Sequence, residues 1–172
     1  MNSLFLHNVL RFIILIFVQV FLLKNMVFYG LNVPFLYILF ILLLPFQTPN
    51  WLLFVLSFLL GLVIDLFNDT LGLHAASCTL LALIRVFFIS ITVQQDNYDS
   101  EPEPTLGIMG FRWFFFYTLI LTLIHHFVLF NLEVFRISEI GSTLSRVFIS
   151  SALTIVLIFI TELVFYRKKK QR

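Results

Sequence analysis

The sequence predicts an all-α, polytopic membrane bundle of about six helices, and three observations carry that prediction. Hydrophobic residues make up 60% of the 172 positions and charged residues only 12%, about half the charged share of a soluble domain. A mean hydropathy of +1.04 cannot be hidden inside a soluble chain this small, because too much surface is left to cover. The apolar residues also fall into runs near the roughly 20 residues that cross the hydrocarbon as a helix. A soluble enzyme, a nucleic-acid-binding module and a disordered tail are excluded on these grounds. A single transmembrane domain covering 1–172 is expected.

Charges and Pro/Gly/Asn punctuation set the spans, taken in order. Span 1 runs from about Val9 to Phe28, ending in Phe28-Tyr29-Gly30-Leu31. No small-residue cleavage site follows it, so a membrane span is expected there and not a signal peptide. Residues 25 to 64 carry no charge, too long a stretch for one helix, and Pro45-Phe46-Gln47-Thr48-Pro49-Asn50 divides it. Span 2 is therefore about Asn32 to Phe46, with Asn32 as a cap and Pro34 in its first turn. At ~22 Å it is short for a crossing, and is tilted, shielded by neighbours or only partly spanning. Span 3 covers about Trp51 to Phe67, span 4 about Thr70 to Val93, span 5 about Phe111 to Leu132, and span 6 about Ser142 to Tyr166.

Orientation follows from the cations near span ends. Five of the eleven Lys and Arg residues form the tail Arg167-Lys168-Lys169-Lys170-Gln171-Arg172. With that tail in the cytoplasm and an even number of spans, the N-terminus is cytoplasmic too. Arg11, Arg85 and Arg112 then lie toward the cytoplasm with the tail, while Lys24, Arg136 and Arg146 lie on the other side. Trp51, Trp113 and Tyr166 fall at the cytoplasmic interface, where amphipathic rings collect. The tail also suits contact with anionic lipid. The acidic stretch Gln94–Pro104 reads as a solvated cytoplasmic linker or as a docking strip for a basic partner.

Ionisable groups inside spans are costly, about 2.5–3.5 kcal/mol each on insertion scales, so each asks for a compensating partner. Asp65 ends span 3, where the helix dipole disfavours a carboxylate. Free amides around Asn68-Asp69-Thr70, or Arg146 in span 6, are its candidate partners; a polar clamp closing the hairpin, contact with another protein and substrate binding are all open. Arg85 and Glu162 reach similar depths and pair, unless Arg85 snorkels to the interface. His125 and His126 diverge by about 100° on a helix and do not readily chelate one ion, so interhelical hydrogen bonds are expected of them. His74 and Cys78 read as structural, Cys78 within the small-residue stretch Ala75-Ala76-Ser77-Cys78-Thr79. The only weak constellation for catalysis is the histidine pair with Glu133. No Gly-rich phosphate loop, nucleophile elbow or carboxylate cluster occurs, so no cofactor, metal or catalytic residue is expected.

At the span 3–4 hairpin the sequence becomes more specific. Gly61-Leu62-Val63-Ile64-Asp65-Leu66-Phe67-Asn68-Asp69-Thr70-Leu71-Gly72-Leu73-His74-Ala75 resembles the signature of the rod shape-determining MreD family: a Gly-x-x-x-Asp helix end, then a Leu-Gly turn into a small-residue helix. The proline-led second span and basic C-terminus are also similar, while the short span 2 and the acidic loop are not features the family requires. Gly61, Asp65, Leu71 and Gly72 occupy the motif positions, with Asp69 and His74 in the same hairpin. The resemblance implies a non-catalytic scaffold in the bacterial inner membrane. It would associate with an MreC-like protein and act in the elongation assembly with MreB, RodA and a penicillin-binding transpeptidase. The layout is also similar to the substrate-binding subunits of energy-coupling-factor vitamin transporters, a fold-level analogy that transfers no ligand. That rival function needs a polar cavity on the outer side, near Asp65 and Arg146.

Overall fold

The computed structural model describes residues 2–26, 33–93, 103–134 and 140–166, with no β-strand among them. Helix α1 (Asn2–Phe17) continues through a π turn (Val18–Leu22) and a 3₁₀ turn (Leu23–Asn25). A 3₁₀ turn (Leu36–Ile38) leads into the very short α2 (Leu39–Leu42). Then come α3 (Asn50–Asn68), α4 (Leu73–Thr92), the one-turn α5 (Leu106–Met109), α6 (Phe111–Val134) and α7 (Ile140–Val164). Among the described residues, five helices are long and apolar enough to cross a membrane: Leu6–Asn25, α3, α4, α6 and α7. The molecule is a helical, multi-pass membrane protein. Ile91, Phe148 and Leu163 are more than half exposed on its flanks, as lipid-facing side chains are.

Spans 3, 5 and 6 fall within about two residues of their expected bounds; span 1 begins at Leu6, and its expected end at Phe28, like the Asn32 cap of span 2, lies outside the described residues. Span 4 begins later than expected, at Leu73, because Asp69 (φ 55°) and Gly72 (φ 79°) both lie in the left-handed region and hold Thr70 in the turn. The larger correction is span 2. Only Leu36–Leu42 is helical, a rise of about 12 Å against a hydrocarbon core near 30 Å. Non-helical chain makes up the rest of 33–46.

Such a backbone survives at membrane depth only where protein surrounds it, and it does so here. Residues 34–44 are all buried, and Ile38, Ile41 and Leu42 have no exposure at all. The free backbone groups at its ends are met by side chains from elsewhere. Phe35 N–H donates to Thr154 Oγ1 (2.9 Å), and Pro34 O accepts from Gln19 Nε2 (3.1 Å). Beyond α2, three consecutive carbonyls are each capped from a different helix: Leu42 O by the Tyr117 hydroxyl (2.8 Å), Leu43 O by Arg11 (3.2 Å) and Leu44 O by Arg85. Cations suit this place, since a helix C-terminus is negative.

The long elements run antiparallel to their chain neighbours. Arg11, Leu44, Asn50, Thr92, Phe111 and Val164 mark one end of the bundle, here the tail end; Lys24, Asn68, Leu73, Val134 and Ile140 mark the other, the hairpin end.

Candidate functional site

The α3–α4 hairpin is closed by Asp65. Its Oδ1 accepts from His74 N–H (3.0 Å) and Thr70 Oγ1, and its Oδ2 accepts from Ala75 N–H (2.9 Å). These are the second and third amides of α4, the donors an N-cap side chain ordinarily serves. Gly72 stands at the N-cap and has no side chain. The carboxylate of the preceding helix does the capping instead, at the positive end of the α4 dipole. One turn earlier, Gly61 lets the two backbones touch: a Cβ there would lie 2.5 Å from Ala75 Cα and from His74 O. Asp65 thus finds its donors within the hairpin, but they are two α4 amides and the Thr70 hydroxyl, where free amides around residues 68–70 were expected. Arg146 is not part of it. Asp69 caps the end of α3 by its backbone and is exposed, and Leu71 at the tip is fully exposed.

Behind the clamp lies a polar core. The Tyr37 hydroxyl, carried on the short second segment, bonds His74 Nδ1 (2.8 Å) and His125 Nε2 (3.1 Å). Cys78 Sγ lies 3.9 Å from that same Nε2. His126 uses its two nitrogens on Thr122 O (2.9 Å) and Thr154 Oγ1 (3.1 Å). All four rings are buried, with Phe35 packed against the three histidines. The histidines therefore make interhelical bonds. No group of three metal-ligating side chains occurs among the described residues, and Glu133 belongs to a different cluster.

That cluster lines a cavity of about 220 Å³ at the hairpin end. Arg146 donates to Glu133 (3.1 Å) and lies 4.5 Å over the ring of Phe130. Lys24, which also lines the cavity, donates to Phe67 O. Gln19, buried in the π turn of α1, also lines it. A larger depression of about 550 Å³ at the tail end is lined mostly by apolar side chains, among them Phe88, Trp113 and Phe116.

The Arg85–Glu162 pairing is corrected. Arg85 bonds Leu44 O and the Tyr117 hydroxyl (3.1 Å), whereas Glu162 accepts from Leu106 N–H (2.8 Å), the amide that opens α5. Arg85 does not snorkel either, being 3% exposed. Glu103, at the edge of the acidic stretch, is buried and pairs with Arg11 (3.0 Å). The rest of that stretch through residue 102, and the basic tail from 167, lie outside the described residues. Sequence reasoning passed over Gln19, Tyr37, Tyr117 and Thr154. Their signal was a polar side chain inside an apolar run, which Gln19 in Val18-Gln19-Val20 and Tyr37 in Phe35-Leu36-Tyr37-Ile38 both give.

In comparisons with known proteins, no family model, no curated protein and no solved structure matches the chain.

Proposed function

We propose that this chain is a non-catalytic scaffold of the MreD type in the bacterial inner membrane, contributing to rod shape and lateral peptidoglycan synthesis by binding an MreC-like partner. MreB, RodA and a penicillin-binding transpeptidase belong to the same assembly, and both termini face the cytoplasm. The observation that carries the reading is the hairpin joint. Gly61, Asp65 and Gly72 of the motif are consumed in holding the turn, while Leu71 is left 100% exposed beside Leu66 and Phe67, themselves 73% and 45% exposed. A rigid mount presenting apolar side chains suits contact with another membrane-anchored protein.

A photo-crosslinking residue placed at 71 in the native host tests this, with position 91 at the far end of α4 as the lipid-facing control. Adducts with an MreC-like protein from position 71 and none from 91 support the scaffold. Recovery from a mild-detergent pull-down of an ATPase pair with a membrane coupling subunit, and of no elongation protein, would overturn it in favour of a vitamin-transporter subunit.

A further inference from the structure

We propose that the hairpin-end cavity is a binding site for a phosphate ester bearing a hydroxyl or ammonium donor, of the kind found in phospholipid head groups. The argument starts from donors and acceptors left over. Lys24 and Arg146 bring two cations to one small cavity. Lys24 spends one of its three N–H donors on Phe67 O. Arg146 has an Nε that is buried and meets no partner among the described residues. Those are donors for an anion, and guanidinium and ammonium groups are the side chains that hold phosphate.

The complementary half of the ligand is set by acceptors. Gln19 is 2% exposed; its Nε2 is spent on Pro34 O, and its Oε1 has no partner among the described residues. A buried acceptor without a donor is costly, and a ligand hydroxyl or ammonium would relieve it. Glu133, whose side chain is 45% exposed, offers a second acceptor at the mouth. The π turn that carries Gln19 fits this role, since such turns recur at functional sites. A simple anion would leave Gln19 unanswered and would meet Glu133 unfavourably; a phosphate with a donor a few atoms away satisfies both sides.

Size and place narrow the class further. About 220 Å³ falls short of the ~300–1,000 Å³ of sites for drug-sized ligands and cofactors, a size that suits a head group better than an intact vitamin. Lys24 lies next to Asn25, the last residue of the α1 extension, and Arg146 is in the second turn of α7. Both are where basic side chains meet the head-group layer. The same chemistry could reach the cavity as a free phosphate ester, and the test separates the two sources.

Delipidated full-length protein in detergent, offered an equal mixture of phosphatidylethanolamine and phosphatidylcholine, which carry the same net charge, is read by native mass spectrometry. The wild type should retain one phosphatidylethanolamine with about tenfold preference, choline having no donor for Gln19. Gln19→Met should bring the two lipids within about twofold of each other while phosphate binding persists. Lys24→Gln with Arg146→Gln should abolish retention, and the charge-keeping Lys24→Arg with Arg146→Lys should preserve it, which separates lost binding from lost folding. Stabilisation by millimolar glycerol phosphate equal to that by the lipid would assign the site to a soluble ester. The proposal falls if the wild type shows no head-group preference, or if the Lys24 and Arg146 neutral variant keeps it.

Discussion

The α3–α4 hairpin and the short second segment face one problem, free backbone groups inside a membrane, and answer it in opposite ways. At the hairpin the orphans are N–H groups, and one carboxylate nine and ten residues upstream serves two of them. At the segment the orphans are mostly carbonyls, and the donors come from 32 to 75 residues away on three helices. A local solution makes a self-contained joint. A distributed one makes the segment the part to which the other helices are tied, through Arg11, Arg85, Tyr117 and, at its other end, Thr154.

The contrast can be broken most directly at Asp65. Asp65→Ala leaves two buried amides unserved and should lower stability by about 3 kcal/mol in thermal unfolding of the detergent-solubilised protein; Asp65→Asn, which keeps one acceptor, should lose less. A loss under ~1 kcal/mol would mean that the clamp does not close the hairpin. Gly61→Ala should lose about 2 kcal/mol, the usual scale of overpacking. Because the added Cβ meets the backbone of residues 74 and 75, Ala75→Gly should not rescue it, and a rescue would refute the close approach.

On the distributed side, Arg85→Ala should lose about 2 kcal/mol and Tyr117→Phe about 1 kcal/mol, interhelical bonds in membranes being modest. Arg85→Lys should recover part of the loss, because one donor can still reach Leu44 O. The two sites bond each other, so their double variant should depart from additivity by at least ~0.5 kcal/mol. Asp65→Ala and Arg85→Ala, in separate structures, should add within about that margin. Strong coupling between them would show that hairpin and segment form one unit.

The same distinction explains what the sequence revealed. Span ends were legible because charge and Pro/Gly punctuation mark them locally, and a clamp at Asp65 was foreseeable because a carboxylate at a helix end needs nearby donors. Even there, the amides that answer it were one turn further on than expected, for φ > 0 at Asp69 is not written in residue type. Arg85 was misassigned for a deeper reason. One of its two partners is a backbone carbonyl, and every residue carries one, so no side-chain pattern displays it. The cavity gathers Gln19, Lys24, Glu133 and Arg146 from three helices, and only the packing brings them together.

The short segment has a consequence for biogenesis. Residues 35–44 leave the ribosome well before Tyr117 and Thr154, which later fasten them. A stretch that brief is not a stable crossing by itself, so its final placement must wait until the last two helices have entered the bilayer. Nascent chains stalled before residue 117 should therefore expose Tyr37 to lipid-phase labelling, and full-length chains should shield it.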